Sequence, residues 1–593
     1  SGADGVTGEL RSQAFALTGG TNSAAAFLNM APGEVLFSRN YEASQVRGYR
    51  RVDGYVKYDG RYSTSAATVP GSGPVRGIFA SSAFGTYAFR DNAGGTACLL
   101  YKATASGWQA VNMLSYIPFN AGTAAIAEGA SINNGSGATA VVRRVVVSSG
   151  SWGGTPQASG RLYVDTVVGT WAATNAIKVG ATTQATATAG VTATTLLPGG
   201  NYECLEYNFY GASNKRRIYG CDGVNPAFEF DGTYFVQITT GMLVDKPNHI
   251  AAHRNALFLS YPGGSVQNSS IGEPLTWNVR TGASDIGIGS DVTGMVSFRG
   301  ATLAIFGQST THQLYGTPGL ADFELKVMSL TTGAYAGTAS DVGGTLRYLS
   351  AEGLHQLATT QQYGDFVATS ESGKVRPTLA PSTAVFAYPY RNKDQYRLVM
   401  NDKTAWYVTY FADRPPEFMR AEFPVQFVTA YVLRTGSGEV AYVGDDAGNV
   451  YVMDYDPAYS TLPIPSFDGV AIDSVLRLPF NFVSAPAIRK RFHRVQFEMQ
   501  GSSPVTLTVA TEFDYANLTG DAYEAATGGT SGLIGQGRIG TIVFGAGMEP
   551  LAEINVCGVG RNMGLIITHS STTDQPFTLV AADVQYSTRG IQR

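Results

Sequence analysis

Two histidines, His249 and His253, stand four residues apart in a chain of 593 residues that contains only six. On a helix this spacing would place both imidazoles on one face, as half of a zinc site. The residues between them supply no glutamate of the H-E-x-x-H kind, and on a strand the two would merely share a face. Carboxylates recur in pairs at Glu203 with Glu206 and at Asp222 with Asp231. Glycoside hydrolysis needs two such groups ~5–9 Å apart across one cleft, and spacing along the chain does not put them there. Asp445-Asp446 with Asn449 lacks the register of a calcium loop and reads as the closure of a hairpin. Gly287-Ile-Gly289 has no helix after it, so it is no dinucleotide loop. No G-x-S-x-G, P-loop or Cys/His nucleophile pattern occurs. The residues therefore predict a non-enzymatic chain with no catalytic group, no metal ligands and no cofactor.

Positive charge is concentrated in two places. Arg489-Lys-Arg-Phe-His-Arg494 is dense enough to grip phosphates, but charge that guards an exposed strand edge gives the same run. The stretch from Arg47 to Arg61 interleaves five basic and two acidic residues with three tyrosines. A single-strand nucleic-acid strip has this composition, and so has a tyrosine-rich hairpin with snorkelling arginines on its solvent face. Across the chain 41 basic residues meet 45 acidic ones, a net charge of -4, which excludes the concentrated basic face of a dedicated nucleic-acid binder. Cys98, Cys204, Cys221 and Cys557 form no C-x-x-C pair and sit in apolar strand patterns, so buried free thiols are expected. No leader-like segment and no run of ~18 apolar residues is present, so no membrane anchor is expected.

The elements that must position these residues are strands. In Ile218 to Ile238 two short aromatic and aliphatic runs each border an Asp-Gly, the dipeptide that suits a two-residue hairpin because such turns need positive φ. Tyr219, Phe228, Phe230, Tyr234, Val236 and Ile238 occupy alternate positions within their strands, which places one face of each against a core. Glu352-Gly-Leu-His-Gln-Leu357 and Asp446-Ala-Gly-Asn-Val-Tyr451 repeat the grammar. Units of ~40–50 residues recur about seven times from Val75 to Asp454, the period of propeller blades. Val75–Phe79, Thr86–Phe89, Cys98–Tyr101 and Gly107–Val111 supply the first. The predicted fold is all-β: a β-propeller of about six to eight blades with an inserted small β-domain and a C-terminal β-sandwich-like domain.

The boundaries follow composition. Residues 1–70 read as an arm and first hairpins, the arm lying on another domain or a neighbouring subunit, and 71–119 as the first blade. From 120 to 199 aromatics nearly vanish while Ala, Thr, Gly and Val dominate, predicting a separate small β-sandwich, with 180–197 readable instead as linker. Blades resume over 200–456, Pro457, Pro463 and Pro465 mark a boundary, and 466–593 forms the last domain, with Gly528-Gly529 in a loose loop.

Within this frame, Gly48-Tyr-Arg-Arg-Val-Asp-Gly-Tyr55 followed by Tyr58-Asp-Gly-Arg61 resembles the opening of a family of tail proteins from short-tailed bacteriophages. His253-Arg-Asn-Ala-Leu-Phe-Leu259, Ser270-Ile-Gly-Glu-Pro-Leu-Thr-Trp277 and Leu349-Ser-Ala-Glu-Gly-Leu-His-Gln-Leu357 follow in the expected order. The resemblance implies a virion protein, the propeller-bearing subunit of the tail nozzle, assembled in the host cytoplasm. Its implied partners are further copies of itself in a hexameric ring, the tail adaptor ring, tail fibres or spikes, and viral DNA passing through the lumen without sequence-specific contact. The host surface would be met only indirectly. A receptor-binding propeller and a carbohydrate-active propeller enzyme are the alternative readings.

Overall fold

The computed structural model describes residues 9–211, 215–298, 300–317, 323–359, 366–379, 383–436, 438–454, 463–483, 486–501, 504–515, 522–526 and 551–589. Strand accounts for 55% and helix for 2%. Pro457 and Gly528-Gly529 lie outside the described residues.

Seven antiparallel sheets of four strands each follow one another along the chain. Blade one runs from Ser72–Ser81 to Gly107–Ala110, blade two from Glu203–Tyr207 to Phe235–Gln237, and blade three from His249–His253 to Ser284–Gly287. Blade four runs from Val292–Phe298 to Glu324–Ser329, blade five from Ser340–Val342 to Phe366–Ser370, and blade six from Ala384–Tyr390 to Glu417–Glu422. Blade seven takes Phe427–Thr435, Gly438–Asp445 and Val450–Met453 from the end of this region and its outermost strand, Tyr55–Lys57, from near the N-terminus. The first strand of each blade packs against the first strands of both neighbours, and blade seven returns to blade one, so the sheets close into a seven-bladed propeller around an axis.

Both faces of a blade are buried, not one, so successive residues of a strand pack on opposite junctions. In blade two, Ile218, Phe228, Phe230 and Phe235 pack with Phe79 and Phe89 of blade one. Tyr219 and Ile238 point the other way, onto Leu257, Leu259 and Tyr261 of blade three. Each of the seven blade junctions has its own apolar cluster of this kind. The two Asp-Gly dipeptides are turns, but not two-residue hairpins. Asp222 and Asp231 each accept backbone N–H groups two and three residues on, which builds loops of six and four residues. The glycines that follow sit at φ +76° and +91°, where a Cβ would be strained.

The insertion between blades one and two spans strands from Ser115–Gly122 to Thr192–Ala193. Six of its strands pair in a cycle, because Ser115–Gly122 bonds Ala158–Val168 as well as Thr182–Ala187, so it is a small closed barrel where the composition suggests a two-sheet sandwich. Closure removes the exposed edges that such short strands would otherwise carry. Residues 180–197 are strands and turns of this barrel and of its exit, not linker. The barrel has its own core, and it docks on the outer strand of blade two. Leu114, Val146 and Tyr163 pack on Val236, and Gln237 N–H donates to the Tyr163 hydroxyl at 3.0 Å. Arg144 of the barrel is ion-paired with Asp231 and lies 3.7 Å from Glu229.

The exit segment belongs to blade one: Leu196 bridges Cys98 and joins its core. Replacing residues 115–193 with a Gly/Ser linker is therefore expected to give a soluble propeller, because the barrel closes its own ladder and most of its core. Size-exclusion chromatography checks this. Extending the deletion through Leu196 should instead destabilise blade one.

The two ends of the chain build one sandwich. Its first sheet combines Leu10–Ala16, Tyr41–Ala43 and Tyr49–Arg51 with Lys490–Gln500, Leu551–Gly560 and Thr578–Thr588. The second combines Phe37–Arg39 with Ile472–Arg477, Thr506–Phe513, Ala522–Ala526 and Met563–Ser571. The strands of the N-terminal segment complete the sandwich, cross the outer strand of blade six, and continue into the strand that closes the propeller.

Candidate functional site

The innermost strands of a propeller line its axis, and here the starting ends of those of blades two, three, six and seven, with Ile78 of blade one and the segment before blade five, line a cavity of about 440 Å³. Asn201, Glu203 and Asp222 come from blade two, Asn248 and His249 from blade three, and Phe386 and Tyr431 from blades six and seven. Glu203 and His249 are each the first residue of their blade's innermost strand, so equivalent positions in adjacent blades meet. His249 Nδ1 lies 3.1 Å from Glu203 Oε2, which also accepts the backbone N–H of Ile250 at 3.2 Å. Burial alone would lower the His249 pKa, but the Glu203 carboxylate and the Val292 backbone raise it above the ordinary imidazole value.

His253, four residues on, titrates in the opposite sense. It is buried against Ser297 Oγ at 2.9 Å, and burial, aided by Arg254, depresses its pKa to about 4. An unfolded His253 binds a proton near pH 6.5 and the folded one does not, so this group's stability contribution is present above pH ~6.5 and is lost as pH falls toward 4. His249 contributes in reverse, fully below its unfolded pKa and less as pH rises through the folded one. His253→Gln is expected to flatten the acid limb of a melting-temperature profile between pH 6.5 and 4. An unchanged slope would assign that limb to other groups. The two rings hold different partners, so they form no metal pair, and among the described residues no group of three His, Cys, Asp or Glu side chains is arranged around a metal position.

The structure regroups the carboxylates. Glu203 and Glu206 point to different partners, the latter to Ser81 Oγ at 2.8 Å and Arg216 at 3.2 Å. Asp222 and Asp231 are likewise separated, and it is Glu203 and Asp222 that share the axial cavity. Asp222 is spent on its own loop: Oδ1 accepts from Val224 and Asn225 N–H, and Oδ2 from the Asn225 amide at 2.6 Å. Asp445 does the same work in blade seven, taking N–H groups of Ala447 and Asn449 and the Tyr451 hydroxyl. Both carboxylates thus hold the backbone of their own turns.

No protein-family model matches the chain, and no curated protein matches it. Among solved structures the chain is similar to U3-55K at 11% identity and a TM-score of 0.31, covering 41% of this chain and 78% of that one. It is also similar to Raptor of Chaetomium thermophilum at 8% identity and a TM-score of 0.35, covering 68% of this chain and 30% of that one. A third likeness is to YCF48 from Cyanidioschyzon merolae, at 10% identity and a TM-score of 0.27, over 40% of this chain and 76% of that one. The propeller assignment rests on the closed ring of seven sheets, and these likenesses add no argument about function.

The remaining candidates resolve into structure. The run from Arg489 to Arg494 enters Lys490–Gln500, which lies between two other strands and is not an edge. Its side chains alternate: Lys490 is buried and donates to the carbonyls of Ile488 and Arg561, while Arg494 meets Glu553 at 3.1 Å and Arg489 meets Asp514 at 3.7 Å. In the Arg47–Arg61 stretch the arginines do not snorkel to solvent as a set. Arg51 is buried, and Arg50 bridges Glu42 and Asp53 at 2.7 and 2.6 Å. All four cysteines are free. Burial raises the thiol pKa of Cys98, to about 12, and of Cys204 and Cys221, so these three stay neutral; Cys557 is exposed, contrary to expectation.

Sequence reading misses a cluster of six charges where sandwich meets propeller. Glu42, Asp53 and Asp454 face Arg50, Lys393 and Arg397, balanced three against three. Lys393 Nζ reaches Glu42 and Asp53 at 2.8 Å and Asp454 at 3.1 Å. Burial would raise the Glu42 and Asp53 carboxyls, but Lys393 and Arg50 hold both below the usual range. Members up to 412 residues apart, from Glu42 to Asp454, leave no local signal.

Proposed function

We propose that this chain is a non-enzymatic structural subunit of the tail nozzle of a short-tailed bacteriophage, working as a ring stacked on the tail adaptor. The observation that carries the reading is the ordered set of four resembling segments. The first covers the hairpin strand Tyr49–Arg51 and the closing strand Tyr55–Lys57, the joint on which both large domains depend. The others fall on the first hairpin of blade three, the loop before its outermost strand, and the central hairpin of blade five. Strands from before and after the propeller meet in one sandwich, which suits a part that must bear load. By the resemblance the ring is a hexamer, its lumen retains the genome and opens for ejection, and fibres or spikes attach outside. Closed rings satisfy heterologous contacts that a lone subunit leaves exposed.

The engagement of Asp222 and Asp445 in their own turns favours this reading over a carbohydrate-active enzyme. Electron microscopy of the purified chain, alone and with its adaptor, is expected to show sixfold rings with a central hole. Monomers under both conditions would overturn the assignment. In the same preparations Asp222→Asn should leave ring formation intact, because Asn also supports the loop, and neither version should cleave polysaccharide; cleavage abolished by that change would establish the enzymatic alternative.

A further inference from the structure

The axial cavity has a chemistry that the nozzle role does not use. Its charges are neutralised in place: His249 lies against Glu203 and the Val292 backbone, and the Asp222 oxygens are taken by the 222–225 loop. A phosphate would find no uncommitted cation among the lining residues, and a polyamine only the remaining oxygen of a carboxylate already paired. What is open is amide and carboxylate hydrogen-bonding capacity. Asn201 is exposed at the rim, and its backbone N–H is fixed to the Asp222 carbonyl at 3.2 Å. Asn248 is fixed through its backbone to the Ser260 carbonyl at 2.9 Å, and its Oδ1 accepts from Ser260 Oγ at 2.7 Å, which orients the amide NH₂. Glu203 Oε2 is occupied, leaving Oε1 as an acceptor.

Phe386 and Tyr431, both only partly buried, line the same cavity. Amides that donate and accept match hydroxyl groups, which do both, and an aromatic wall matches the C–H face of a pyranose ring. The cavity volume lies within the ~300–1,000 Å³ of ordinary ligand pockets, and its pattern of apolar walls with a few convergent polar groups is that of a binding site. We propose that the mouth of the propeller axis binds a neutral carbohydrate, with Asn201, Asn248 and Glu203 holding its hydroxyls and Phe386 and Tyr431 its ring face. The proposal is independent of ring assembly and assigns no cleavage.

The test is saturation-transfer NMR and calorimetry on the full chain. The probes are glucose, galactose, rhamnose and N-acetylglucosamine, with glucose 6-phosphate and spermidine as charged competitors for the same cavity. At least one neutral sugar is expected to bind, and Asn201→Ala to weaken it about fivefold, the loss of one ordinary hydrogen bond. Ala336→Trp, at an exposed lining position, is expected to abolish binding by filling the mouth. Both changes are at exposed positions, so melting temperatures should stay at the parent value, which separates loss of the site from loss of the fold. Absence of binding by all four sugars would overturn the proposal, as would sugar binding that survives both substitutions. Tighter binding of spermidine or glucose 6-phosphate, blocked by Ala336→Trp, would also overturn it and make the cavity a site for charged ligands.

Discussion

Replacing Arg397 by methionine is expected to destabilise the joint between propeller and sandwich by roughly 3–5 kcal/mol, the range for removing one partner of a buried ion pair. Arg397 is completely buried in blade six. It is ion-paired with Asp454, donates to Gln395 Oε1 at 2.9 Å, and lies over the rings of Tyr390 and Tyr407 at 4.4 and 4.2 Å. Methionine keeps much of the volume but leaves Asp454 with Lys393 as its cation, while Glu42 and Asp53 draw on that same lysine. Three carboxylates would then share two cations in a site nearly closed to water. Arg397→Lys should recover part of the loss, since an ammonium restores charge but not the paired geometry or the stacking. In a double-mutant cycle with Asp454→Asn, the coupling should be large because the two groups touch. Asn tolerates the left-handed conformation of residue 454, at φ +60°. Thermal melts of the four proteins check this, and additive effects would show that the pair is not coupled.

The same cluster sets a pH dependence. Glu42 and Asp53 have folded pKa values below their unfolded ones. Their contribution is therefore present above about pH 4 and is lost as pH falls through the folded values, where the unfolded chain binds more protons.

How far the fold was legible in the sequence depends on the range over which each feature is written. Blade one was legible strand by strand, because its four strands lie within 39 residues, from Ser72 to Ala110, with turns between them. The repeat unit was legible for the same reason. What was not legible is every pairing that joins distant segments: the strand Tyr55–Lys57 taken into blade seven, the strands before Arg51 taken into the C-terminal sandwich, and the barrel closure. A hydrogen-bonded edge looks the same in sequence whichever strand it meets, so composition left the arm's partner open between another domain and a neighbouring subunit and favoured a two-sheet insertion. The basic run at Arg489 was misread as an edge because strand position within a sheet is a property of the partners. Of the axial site, the individual residues Glu203, Asp222 and His249 stood out by type. Their convergence depends on blade-to-blade register: Glu203 and His249 share the first position of consecutive innermost strands, a correspondence seen only once the blades are aligned.

Closure of the propeller by an N-terminal strand gives the second large expected effect. Tyr55→Ala should cost about 3–5 kcal/mol, the range for removing a large aromatic side chain from a core, and the loss should appear first in blade seven, whose junction with blade six holds the ring. The Tyr55 ring is almost wholly buried. It meets Tyr451 at 4.8 Å, Phe467 at 5.1 Å and Phe427 at 5.4 Å between ring centroids, so it ties the closing strand to blade seven and to the segment that leads into the sandwich. The strand is only three residues long, and its ladder to Val450–Met453 is correspondingly short. The ring, more than the ladder, must therefore hold it. No described protein group hydrogen-bonds the Tyr55 hydroxyl, so Tyr55→Phe should keep the parent stability and isolates ring packing as the cause. Hydrogen exchange followed by mass spectrometry is the decisive measurement. In Tyr55→Ala, peptides covering 55–57 and 450–453 should lose protection before those of blades three and four, because a propeller without its closing strand opens at one seam. Uniform loss of protection across all seven blades would show that the ring unfolds as a unit and that the seam is no weaker than any other junction.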